Sequence, residues 1–101
     1  MAKIFNNLKD SGDIISGSAD YNFNVQLGVI ARQIIVETNS TTTVFDFSII
    51  DSDNTEVFLR EDITGALNEE VELPLSGRYT ARVRNSLVDE SYLIKIMAHE
   101  I

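Results

Sequence analysis

The sequence predicts an all-β protein: a single antiparallel β-sandwich of seven to eight strands over residues 14–101, preceded by a short N-terminal arm over residues 1–13. Three observations predict this. Apolar side chains recur at every second position in several separate runs, the period of a half-buried strand. Turn-forming clusters interrupt the chain at roughly eight- to twelve-residue intervals, the rhythm of small sandwiches and barrels. No apolar stripe of helical period has useful length. The chain has 101 residues, enough for one domain, and its 44% apolar content can fill one core.

The arm comes first. Ile4, Phe5 and Leu8 are apolar but fall outside the strand rhythm. Leaving them in water costs roughly 25 cal/mol per Å², so the arm is expected to lie on its own body or on a neighbouring subunit. "SGDIISGSAD" then supplies two Ser-Gly turn signals. "YNFNVQL" sets Tyr21, Phe23, Val25 and Leu27 on one face, with Asn22, Asn24 and Gln26 on the other. "TNSTTT" is a polar turn. "VFDFSII" places Phe45, Phe47 and Ile49 inward. "DSDNTE" reads as a hairpin tip, because Asp and Asn bond to their own backbone in turns. "EDITGALNEE" is the longest interruption. "VELPL" offers Val71, Leu73 and Leu75, and "YLIKI" offers Tyr92, Ile94 and Ile96 with Lys95 outward.

"GRYTARVR" is the most informative run. Tyr79, Ala81 and Val83 face the core, which puts Arg78, Thr80, Arg82 and Arg84 on the outer face. Two arrangements suit it. In one, residues 69–75 and 78–84 form a hairpin around Ser76-Gly77-Arg78, with Glu72 opposite Arg82 and Glu70 opposite Arg84; such pairs contribute roughly 0.2–1 kcal/mol each. In the other, Pro74 ends a strand, the chain crosses to the second sheet, and the arginine row is an exposed partner-binding stripe.

Several function classes are excluded or weak. The formal net charge of −8 leaves no general basic surface for phosphates, so no nucleic-acid partner is expected. Half of the sixteen acidic residues lie between Asp51 and Glu72, where Arg60 is the only basic one. That side is either a self-repelling soluble surface or a docking face for a positive partner. No apolar run approaches the roughly twenty residues of a membrane span, and no signal-peptide core is visible. The chain has no cysteine and a single histidine, His99, expected to be a solvated side chain near the C-terminus; thiolate zinc sites and a Ser-His-Asp triad are not expected. Glu69, Glu70 and Glu72 could pair as glycosidase carboxylates, but there is no tryptophan platform. The metal expectation is none, with Asp51, Asp53 and Glu56 as a weak calcium candidate: "DSDNTE" begins like an EF-hand loop but lacks its glycine and its final glutamate. No cofactor is implied.

The order "DYNFNVQLG", "VFDFSIIDSDNTEV", "VELPLSGRYTARVRN", "ESYLIKIM" resembles the bacterial pre-peptidase C-terminal domain. The shared positions are an alternating aromatic strand ending at Gly28, an acidic turn at residues 51–54, the Gly77, Tyr79, Val83 strand, and a closing strand containing Tyr92. The resemblance covers roughly residues 18–98 and implies a jelly-roll-like sandwich. It also implies an accessory module that binds a carbohydrate or calcium beside a secreted enzyme. The setting is expected to differ, with no signal or catalytic domain accompanying the chain. The expectation is therefore a non-enzymatic structural protein, a phage virion component such as a capsid decoration, head or tail accessory. It would be found in the virion, contact copies of itself or a larger scaffold, and use Ile4, Phe5, Leu8, Arg78, Arg82 and Arg84. The alternative is the accessory ligand-binding module, secreted as part of a larger assembly.

Overall fold

A computed structural model describes residues 5–100. It is all-β: six strands form one antiparallel sheet that does not close, and no helix occurs among the described residues. The strands are β1 (Phe5–Asp13), β2 (Ala19–Thr38), β3 (Val44–Asp51), β4 (Glu56–Thr64), β5 (Ala66–Arg84) and β6 (Ser91–Glu100). Their spatial order is β1-β6-β2-β5-β3-β4.

The expected seven or eight strands become six because two of them are long. β2 runs through Gly28, and β5 runs through Pro74 and Gly77, where the sequence suggested breaks. Both strands bend. Twenty residues of straight strand would span about 66 Å at ~3.3 Å per residue, whereas the longest dimension of the molecule is 44 Å. The bend coincides with a register shift. Val25 pairs with Gly77 and Val29 with Leu75, so three residues of β2 face one of β5.

The bend divides the β2–β5 ribbon into two halves. In the first, residues 19–25 of β2 pair with residues 77–83 of β5, and β3 and β4 continue the sheet beyond β5. In the second, residues 29–37 of β2 pair with residues 66–75 of β5, and β6 and β1 continue the sheet beyond β2. Side chains from both halves, including Ile34, Val36, Ile94 and Ile96 from one and Phe47, Ile49, Ala81 and Val83 from the other, form one buried cluster.

A second irregularity resets the alternation. Ala31 and Gln33 of β2 pair with the adjacent residues Ala98 and Met97 of β6, leaving Arg32 as the extra residue. A one-residue slip moves every later side chain to the opposite face. The buried positions accordingly change from Val29 and Ala31 to Ile34 and Val36.

Residues 5–13, expected as an arm, form β1, an edge strand paired with β6 along its whole length. Leu8 is half-buried against the core. The Tyr92 hydroxyl donates to Asp10 Oδ2 at 2.7 Å, and its ring lies over Gly12 so closely that a Cβ there would sit 3.1 Å from the hydroxyl oxygen. Ile4 and the side chain of Phe5 lie outside the described residues.

Candidate functional site

The arginine row lies on the outer face of β5, as the alternation requires, but with other partners than a hairpin would supply. Residues 66–84 are one strand, so Glu72 does not meet Arg82 and Glu70 does not meet Arg84. Arg84 Nη1 donates to Asp20 Oδ1 of β2 at 2.7 Å and to the Val83 carbonyl at 2.9 Å. Arg82 Nε lies 3.5 Å from Ser48 Oγ of β3. Arg78 is exposed and makes no ion pair among the described residues. Glu72 binds Arg32 at 2.7 Å, and Glu69 binds Arg60 across to β4. Pro74 is tolerated because β5 has a neighbour on one side only in this half, so its missing N–H can face the open side.

Beside Arg78 the outer face holds a shallow cleft of about 440 Å³, lined by Asn22, Asn24, Arg78, Thr80 and the Asp51-Ser52 corner. Thr80 Oγ1 donates to Asn22 Oδ1 at 2.7 Å. Tyr79 stacks on Phe23 with centroids 5.7 Å apart, and its hydroxyl is occupied by the backbone of Ser76. The Asn22 and Asn24 amides, the Ser52 and Thr80 hydroxyls, the Asp51 carboxylate and the Arg78 guanidinium line the cleft. They recognise oxygen-rich ligands by hydrogen bonding.

The weak calcium candidate does not assemble. Asp51 Oδ1 accepts the backbone N–H groups of Asp53 and Thr55, both at 2.9 Å, which caps the turn. Asp51, Asp53 and Glu56 do not converge, and no group of three or more His, Cys, Asp or Glu among the described residues could hold a metal ion. His99 is buried in β6, not solvated as expected, and its Nε2 lies 3.3 Å from Arg32 Nη2. Among the described residues no helix is long and apolar enough to cross a membrane.

The carboxylate of Asp46 links β3 to β4 and to the start of the loop between β5 and β6. It accepts from Asn85 Nδ2 at 2.7 Å and from the Asp62 N–H at 2.9 Å. These bonds, that of Asn85 first, hold its pKa below the usual carboxylate value.

One region was missed in the sequence. Ile15, Leu87 and Val88 are 70%, 75% and 51% exposed, three of the five exposed large hydrophobic residues among the described residues. They sit on two loops at one end of the molecule. Ile15 and Ser18 close a two-residue turn with bonds of 2.9 and 3.0 Å, and Ser16 and Gly17 both have positive φ, the geometry that matches strand twist. The second loop, residues 85–90, clamps this turn: the Asp89 carboxylate accepts the N–H groups of Ser16 and Gly17, and Ser86 N–H donates to the Gly17 carbonyl. Asp13, Asp89 and Glu90 are the acidic residues of the two loops and their immediate flanks, with Asp20 beside them held by Arg84. The available signal was the pairing of apolar residues, "II" and "LV", inside Ser-, Gly- and Asp-rich turn segments.

No protein-family model and no curated protein matches this chain. Among solved structures, it is similar to chains in structures of infectious bursal disease virus. The match in the Gx strain has a TM-score of 0.39 and 11% identity, covering 97% of this chain and 31% of that one. The match in the Gt strain has a TM-score of 0.43 and 12% identity, covering 98% and 32%. This chain thus spans about a third of each chain it matches.

Proposed function

We propose that this protein is a non-enzymatic assembly component of a virus particle, specifically a phage capsid decoration or a head or tail accessory, held in place by protein–protein contacts. The observation that carries this reading is the apolar end. Three large hydrophobic side chains exposed on two loops braced against each other are costly in water, and exposed apolar surface that clusters in this way marks interaction sites. The surrounding carboxylates favour a scaffold surface with a basic rim.

The test is co-sedimentation. Particles purified from the source on a density gradient should contain the chain in fixed proportion to their major protein. The Ile15→Ser/Leu87→Ser variant should leave the particle fraction while keeping the wild-type circular dichroism spectrum. A wild-type chain found only in the soluble fraction would overturn the reading.

The second reading is an accessory module that binds a carbohydrate, and the cleft beside Arg78 favours it. There a glycan that raises the melting temperature should lose that effect in Arg78→Ala and in Asn24→Ala. The absence of any glycan-dependent shift would count against it.

A further inference from the structure

The sheet has four free edges among the described residues, and they differ in charge. The β1 edge exposes Lys9 and Asp13, while Asp10 is half-buried and bonded to Tyr92. The outer side of β4 carries Glu56, Arg60, Glu61 and Asp62. In the second half of the ribbon β5 is outermost, with Pro74 and an unpaired Glu70, while Glu69 and Glu72 are held by Arg60 and Arg32. Charged side chains and proline on an edge discourage pairing with another chain. In the first half β2 is outermost, because β6 pairs with it only from Val29 onward. Its exposed polar residues are Asn22, Asn24 and Gln26, and its one charge, Asp20, is paired with Arg84 at 2.7 Å.

We infer that this edge, residues 20–26 of β2, pairs antiparallel with the same segment of a second copy about a two-fold axis. The proposal rests on the assembly reading and names the surface for its homo-oligomeric part. Charge selects the occupant. Copies with a net charge of −8 repel one another, so two copies can pair backbone to backbone only along an edge without uncompensated acid. Chemistry also favours self-pairing. An amide side chain carries both donor and acceptor, so asparagine facing asparagine across a two-fold axis is complementary, whereas a carboxylate facing a carboxylate is not. A register centred on Phe23 puts Asn22 opposite Asn24 and Tyr21 opposite Val25, which keeps inward residues against inward ones. Leu27, 67% exposed, lies just past the end of the segment and gains cover in the same contact.

Sedimentation equilibrium over a range of protein concentrations tests the inference. The wild type should be dimeric, and Asn24→Lys should be monomeric at concentrations where the wild type is not. Asn24 is exposed, so circular dichroism should be unchanged. Should Asn24→Lys fold poorly, hydrogen exchange on the wild type replaces it: amides of residues 20–26 should gain protection with concentration. A wild type that stays monomeric throughout overturns the proposal. So does a dimer that Asn24→Lys leaves intact, or one whose concentration-dependent protection falls on β1 or β4. A monomer that still co-sediments with particles removes only this inference. A dimer that never does removes the assembly reading and leaves the edge pairing standing.

Discussion

The two halves of the β2–β5 ribbon use the same pair of strands and end in opposite ways. Where β5 is outermost, three glutamates and a proline occupy the edge; where β2 is outermost, two asparagines and a glutamine do. The first arrangement keeps other chains away, and the second leaves the backbone approachable. The halves also differ in what lies beyond them. β3 and β4 bring the phenylalanine-rich part of the core, whereas β6 and β1 bring mainly aliphatic residues and Tyr92. The lesson is that one long bent strand can be interior at one end and boundary at the other. Its side chains are then chosen half by half, not strand by strand.

The largest expected effects test whether the halves share one core. Phe47→Ala should cost ~3–5 kcal/mol and Ile34→Ala ~2–5 kcal/mol, as large-to-small core changes do. Urea unfolding followed by circular dichroism and by tyrosine fluorescence should show one coincident transition in each variant. Separate transitions would mean that the halves are independent units.

Two glycines sharpen the contrast between the ribbon and its ends. Gly65 links β4 to β5 with φ of +74°, and a Cβ there would meet the Thr41 carbonyl oxygen at 2.7 Å. Gly77, at the bend of the ribbon, has φ of +99° and nothing within 4 Å of such a Cβ. Backbone strain costs about 1–3 kcal/mol at either site, and the backbone clash adds to it only at Gly65. Gly65→Ala should therefore lower the urea midpoint clearly more than Gly77→Ala.

Alkaline titration separates the two tyrosines that sense Asp10 of β1. The Tyr92 hydroxyl is pushed up to about 12, first by burial, then by its bond to Asp10 and by nearby carboxylates. An unfolded tyrosine titrates near ~10. The folded protein thus holds this proton more tightly, and the stability it contributes is full below pH ~10 and lost as pH rises towards ~12. Tyr92→Phe should flatten stability against pH in that window. A smaller slope should remain from Tyr21 on β2, whose pKa is raised by burial and by Asp10.

The smallest effect concerns the ion pairs on the ribbon's faces. Arg84→Ala in the first half and Arg32→Ala in the second each remove a partly exposed pair. Each should cost only ~0.2–1 kcal/mol and weaken further in salt, as measured by urea unfolding with and without added sodium chloride.

Much of the core was legible because strand alternation is local. Phe45, Phe47, Ile49, Ala81, Val83, Tyr92, Ile94 and Ile96 are all buried as the period-two reading requires. Leu27, read as inward, is exposed because the register shift after Val25 breaks the alternation there. The arginine row was legible as an outer face, but its partners were not. Asp20 lies 64 residues from Arg84 in the chain, and nothing local couples them. The apolar end escaped for the opposite reason: Ile15, Leu87 and Val88 stand in turn segments, where a single hydrophobic residue carries no periodic signal.

The sequence by itself determined that this chain is built of strands and which side chains in most of them avoid water, because the pleat alternates side chains at every step whatever the strand's neighbours. Only the tertiary structure decided where strands end, which edges are guarded and which charges meet. Those depend on bulges and on partners distant in the chain, whose pairing is set by the closing of one shared core and not by any short stretch of residues.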